Sequence, residues 1–172
     1  FILILVLSSC KETNNQYYVN QIDSLEFKLV NALDSYSTID SIPIVEIRKN
    51  IKATCNRLTN LKDTIISSTF IPYSQLDKSM KQILRMDTRI KKELKTSSEQ
   101  ISNLLYDAKN NLIDTVLLSQ YIEEEKRILL LVTDRMKYNT DRIKTELIRY
   151  DSLNQVINQY LIKDIKWQKI IG

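Results

Sequence analysis

The chain has 172 residues, one Gly, two Pro and no His, with 27% charged and 43% hydrophobic residues and a net charge of +4. Average usage would supply roughly 12 glycines, so composition argues against Gly-rich phosphate loops, dinucleotide-binding turns and tight β-hairpins. Without His there is no imidazole base, no His-based triad and no His ligand for zinc or iron.

The N-terminus comes first. Phe1–Leu7 is an unbroken apolar run, followed by Ser8, Ser9 and Cys10 and then by the polar stretch Lys11–Gln16. Seven helical residues rise only ~10 Å against a hydrocarbon core of ~30 Å, too short for a membrane span. The run instead has the form of a signal-peptide apolar region entering a small-residue cleavage site. Leu7-Ser8-Ser9-Cys10 resembles the bacterial lipobox: a branched apolar residue, two small residues and a cysteine. That resemblance implies that the Cys10 thiol receives a diacylglycerol, that cleavage falls just before it, and that two or three acyl chains hold the mature protein on a membrane. Two or more chains anchor a protein stably where one binds only marginally. Residues 1–9 are then a signal-peptide remnant, and 10–16 a lipidated cysteine with a polar tether. Phe1, with neither Met nor a basic segment before it, leads us to expect further residues upstream. The competing reading, an apolar start to a core helix with Cys10 a buried thiol, sits poorly with the polar stretch that follows.

The rest of the chain, 17–172, reads as one helical-bundle domain. Apolar residues return at alternating steps of three and four. The first stripe is Tyr18, Ile22, Leu25, Leu29, Leu33 and Tyr36, predicting a helix over 17–36. After a polar break, Asp40 or Ser41 is placed to cap a second helix with Pro43 in its first turn, over 42–66. Its stripe is Ile44, Ile47, Ile51, Cys55, Leu58, Leu61 and Ile65. The segment around Pro72 reads as a break with Ser74 as the new N-cap. A third helix over 74–110 then carries Leu76, Met80, Ile83, Asp87, Ile90, Leu94, Ser97, Ile101, Leu104 and Ala108. Thr96–Glu99 has the form of a capping box, but the stripe keeps its phase through it. Asn111 suits a left-handed cap, and Asp114 starts the last helix, over 114–166. Its stripe runs from Leu118 through Ile122, Glu125, Leu129, Val132, Met136, Asn139, Ile143, Leu147, Tyr150, Leu153 and Ile157 to Tyr160 and toward Ile165. Helices of ~55 and ~75 Å cannot stand on a surface stripe alone, so the last two must pair as a hairpin. The expected fold is all-α: an elongated antiparallel bundle of three or four helices with coiled-coil-like packing.

Candidate sites are few. Lys78, Lys81, Arg85, Arg89 and Lys92 step along one face of the third helix, opposite its apolar stripe. This row suits an anionic surface or an acidic protein partner, and otherwise is a solvated helix face. Glu123-Glu124-Glu125 complements the helix dipole, with Glu123 placed to pair with Arg127. No metal and no cofactor are expected from it. The polar stripe positions Asp87, Glu125 and Asn139 suit register-setting. Cys55, with no His to activate it, reads as a small buried apolar residue. Trp167 sits in a segment with an interfacial pattern. The scattered basic charge points to no nucleic acid.

Lipobox and helical mature chain together resemble the small helical lipoproteins of diderm bacterial envelopes. The resemblance implies a lipid-anchored envelope protein, held at the outer membrane rather than the inner because Lys11 and not Asp follows Cys10. It implies a non-catalytic binding or scaffold role with an envelope protein partner. The alternative is a surface-exposed lipoprotein binding an external ligand, for which Lys11-Glu12 is the one specific sign.

Overall fold

Apolar residues recurring every three or four positions commit a chain to helices packed through one stripe. The computed structural model is an all-α helical bundle, with four helices among the described residues: α1 (Ser9–Ser37), α2 (Ile42–Leu58), α3 (Ser67–Lys109) and α4 (Thr115–Ile171). It describes the backbone of residues 9–37, 42–58 and 67–171, and side chains over 15–36, 43–58 and 68–163; no strand occurs among them. Leu7 and Ser8 of the cleavage motif, the expected cap at Asp40 or Ser41, and stripe residues Leu61 and Ile65 lie outside the described residues. So do the side chains of Cys10, Ile165 and Trp167.

Helix boundaries differ from the periodicity where long-range contacts intervene. α1 starts at Ser9 rather than 17, so residues 10–16, expected as a tether, are helical. Near its start the Asn15 amide donates to the Ala108 carbonyl at 2.9 Å and to Asn111 Oδ1. α3 starts at Ser67 rather than 74 and carries Pro72 inside it. Ser74 is therefore not an N-cap; its hydroxyl donates to the Ile71 carbonyl at 2.9 Å. Proline is costly in a helix interior, and packing offsets that cost. The neighbouring Tyr73 is fully buried, lies 6.2 Å ring to ring from Tyr150, and donates to Asn154 Oδ1 at 3.2 Å.

The α3–α4 turn is built without glycine. Asn111 takes φ 54°. Leu112 N–H donates to Asp107 O at 3.0 Å and Asn111 N–H to Ala108 O at 3.4 Å, the paired 6→1 and 5→2 bonds of a Schellman cap. Asp114 Oδ1 then accepts from Val116 N–H at 2.9 Å and Leu117 N–H at 3.1 Å, capping α4 as expected.

All ten predicted stripe residues of α3 are buried, and α3 runs unbroken through Thr96–Glu99. On α4, Leu118 through Ile143 follow the prediction, while Leu147, Leu153 and Tyr160 are only half-buried. On α1 the stripe shifts: Val19 and Ala32 are buried, whereas Leu33 is exposed and Tyr18 half-buried. A helix face is chosen by angle, and the small Ala32 at the three-residue step permits close approach where Leu33 would not.

Packing resolves into two compact units. The first joins α1 to residues 89–109 of α3 and 115–136 of α4. Within it, Asn15 meets the turn and Lys126 Nζ donates to Gln21 Oε1 at 2.8 Å, so α1 runs parallel to α4 and antiparallel to α3. The second joins α2 to residues 67–88 of α3 and 137–171 of α4. There Arg48 Nε bonds Asp77 Oδ1 at 2.9 Å, tying α2 to α3. Ser79 donates to Glu146 Oε1 at 2.6 Å, and Arg142 donates to Gln82 Oε1 at 2.6 Å and Ser79 Oγ at 3.2 Å, tying α3 to α4. Each unit is thus a three-helix layer arrangement.

Candidate interaction surface

The charge pattern of α3 follows from its core. With Leu76, Met80, Ile83, Ile90 and Leu94 turned inward, the helical step of 100° puts Lys78, Lys81, Arg85, Arg89 and Lys92 within an arc of roughly 80° on the outer side. All five are exposed. Lys78, Lys81 and Arg85 lie in the unit containing α2, and among the described residues none of them is in an ion pair.

Arg89 and Lys92 lie in the other unit, and Arg89 is engaged. Its Nε bonds Glu93 Oε1 at 2.9 Å, while Arg135 Nη1 from α4 bonds Glu93 Oε2 at 2.6 Å. Both carboxylate oxygens are therefore occupied, by one cation from each helix. Burial opposes the charge on Glu93, but the hydrogen bonds from Arg89 and Arg135 outweigh it and hold the carboxyl below its ordinary value. Arg89 and Glu93 are readable as an i,i+4 pair; Arg135, 42 positions away, is not. A carboxyl whose folded pKa lies below its unfolded one adds stability above the unfolded value, and that stability goes as pH falls through the folded one. Glu93→Gln is accordingly expected to cost about 1 kcal/mol at neutral pH, with the difference from the parent vanishing in acid. Urea denaturation of both proteins across the acid range checks it.

An open groove of about 470 Å³ lies beside this clamp, lined by Arg89, Lys92, Glu93, Thr96 and Gln100 of α3 and by Ile128 of α4. Cations rim it, an amide and a hydroxyl offer further donors, and Glu93 has its charge already spent on two arginines.

The three glutamates of α4 point apart instead of converging. Glu123 pairs with Lys126 at 2.6 Å, and Glu124, not Glu123, pairs with Arg127, at 2.6 Å. The three-residue step reaches Arg127 before the predicted four-residue one does. Glu125 turns into the core, where burial, and then Glu124, push its carboxyl above the ordinary value. Among the described residues no group of three or more Cys, Asp or Glu is arranged to hold a metal ion. Asp87, Ser97 and Asn139 are buried in the same stripe pattern.

Cys55, expected buried, is only half-buried on α2; burial, then Asp77, push its thiol upward, away from the thiolate a nucleophile needs. Tyr73 is pushed up to about 12, mainly by burial. Cys10 stands in the first turn of α1, with its side chain outside the described residues. Among the described residues no helix is long and apolar enough to cross a membrane.

Sequence reasoning missed one surface feature. Tyr17, Tyr106, Leu112, Val116, Leu117 and Tyr121 are exposed around the α3–α4 turn. Off-stripe apolar residues were the only available signal, and they become a cluster only once α1 is placed beside the turn. No protein-family model matches this chain, and neither a curated protein nor a solved structure matches it.

Proposed function

We propose that the protein is a membrane-anchored, non-catalytic lipoprotein of the bacterial cell envelope, held through acyl chains on Cys10 at the outer membrane, and acting as a binding or scaffold module. The observation that carries the binding half is the row of exposed cations on α3, of which Lys78, Lys81 and Arg85 are in no ion pair among the described residues. Surface lysines and arginines without partners add little to stability, and what they do supply is a field that steers and holds an acidic protein surface. The anchoring half rests on the order of apolar run, small residues and Cys10. Metabolic labelling with a fatty-acid analogue tests that half.

Cross-linking in cells tests the binding half. Reversing Lys78, Lys81 and Arg85 to Glu is expected to leave the helical circular dichroism intact and to abolish capture of the partner. Capture by the parent should weaken with added salt, since exposed charges are screened beyond about 8 Å at physiological ionic strength. Arg89 is left in place because its loss would also strip Glu93 of a partner. Undiminished capture by the triple variant would show that the row is only a solvated face.

A further inference from the structure

The apolar cluster at the α3–α4 turn lies within one compact unit, and it gathers residues that helix packing has no use for. Exposure runs from 43% at Leu117 to 66% at Val116, with Tyr17, Tyr106 and Leu112 each above 60%. Leu112 occupies the position after the left-handed Asn111, where an apolar residue usually folds back onto its own helix. Here it stays in solvent, as does Tyr106 one turn before the cap. At 1.5 Å per residue, Tyr106 stands about 5 Å and Tyr121 about 9 Å from the turn along their helices, with Val116 and Leu117 nearer. Scattered single apolar residues are ordinary on a surface. Six of them ringing one end, three being tyrosines, are a patch with an aliphatic tip and an aromatic collar. That is the distribution that favours a bilayer interface, where aromatic rings sit at headgroup depth and aliphatic groups below them.

A separate observation says what lies against this end. The Asn15 amide reaches Ala108 O and Asn111 Oδ1 at the turn, while Gln21 is already level with Lys126, so α1 leads away from the turn as the numbering rises. α1 is helical from Ser9. Cys10 therefore stands about 7.5 Å before Asn15, on the turn side of it.

We infer that the α3–α4 turn is a membrane-contacting tip: Leu112, Val116 and Leu117 enter the lipid headgroup region beside the acyl chains on Cys10, and Tyr17, Tyr106 and Tyr121 form the collar at its rim. The occupant of the patch is a lipid surface. The inference rests on the anchoring reading above, which places acyl chains at this end. It adds that the bundle is held by two features at once, a lipid and a tip, so the tip end faces the bilayer. Asp114 Oδ1 accepts from two backbone N–H groups at this end. Lys109, exposed at the same end, suits anionic headgroups.

The test uses the full chain behind a complete lipoprotein export signal, made in a diderm bacterial host and purified, with acylation read first by intact mass. A Leu112→Trp substitution in a Trp167→Phe background places the single indole at the tip. The protein is reconstituted into phosphatidylethanolamine–phosphatidylglycerol vesicles with and without lipids brominated just below the headgroup. The expected result is blue-shifted emission and a drop of at least about twofold with brominated lipid, as an indole at interfacial depth requires. Adding Val116→Asp and Leu117→Asp should reverse both. An acylated protein whose indole is unshifted and unquenched would overturn the tip while leaving anchoring intact. If the protein is not acylated, anchoring fails, and the quenching result with added vesicles decides the tip by itself: quenching sustains it, and its absence overturns it.

Discussion

Ile90→Asp is expected to lower stability by more than about 4 kcal/mol, because it removes a buried aliphatic side chain and puts an unpaired carboxylate in its place. Ile90 is fully buried on α3, in the register of the stripe that lies against α4. Domains of this kind have only about 5–15 kcal/mol to lose, so the variant should be largely unfolded at modest urea or should fail to fold. Far-UV circular dichroism through a urea titration measures the change. Leu130→Asp, at an exposed position of α4, serves as the control and should lie within about 0.5 kcal/mol of the parent. Equal effects at the two sites would contradict the placement of the core.

Glu125 should behave in the opposite sense. It occupies a core position, its Oε2 is buried without a hydrogen-bond partner, and burial followed by the neighbouring Glu124 raises its carboxyl pKa. A raised carboxyl means that the folded state holds its proton more tightly than the unfolded state does. Stability from this group is therefore highest below the unfolded value and falls as pH rises from the unfolded value through the folded one. Glu125→Leu is accordingly expected to stabilise the protein at neutral pH by about 1–3 kcal/mol, since an unsatisfied buried polar atom is replaced by apolar volume. Glu125→Gln removes the charge but keeps a polar atom, so its advantage over the parent should shrink as pH falls from the raised folded value toward 4.5, the ordinary glutamate value, and be lost below it. Chemical denaturation of the three proteins at neutral and acid pH separates the two contributions. A parent as stable as Glu125→Leu at neutral pH would mean that the carboxylate finds compensation in solution. Glu93, held by Arg89 and Arg135, supplies the opposite pH slope in the same unit.

The candidate surface was half legible in the sequence. The row from Lys78 to Lys92 follows from helical angle alone, once Leu76, Ile83 and Ile90 are known to point inward. That Arg89 is engaged while Lys78, Lys81 and Arg85 are in no ion pair among the described residues is a tertiary fact, because half of the clamp on Glu93 comes from Arg135 on another helix. Glu124 rather than Glu123 meets Arg127 for a smaller reason: three- and four-residue steps both bring helical neighbours together, and side-chain rotamers choose between them.

By itself the sequence determined the class of fold, the α3 stripe from Leu76 to Ala108, and the Asn111 and Asp114 ends of the hairpin. These depend on periodicity and capping, which act over one or two turns. The tertiary structure alone decided that α1 begins at Ser9, that α3 continues back through Pro72, and that Ala32 and not Leu33 faces inward. It also decided that residues around Tyr17, Tyr106 and Val116 share one end. In each case the local preference is weak or opposed, and contacts such as Asn15 with Ala108 and Tyr73 with Asn154 outweigh it. Such contacts join residues 93 and 81 positions apart, and no local pattern encodes that separation.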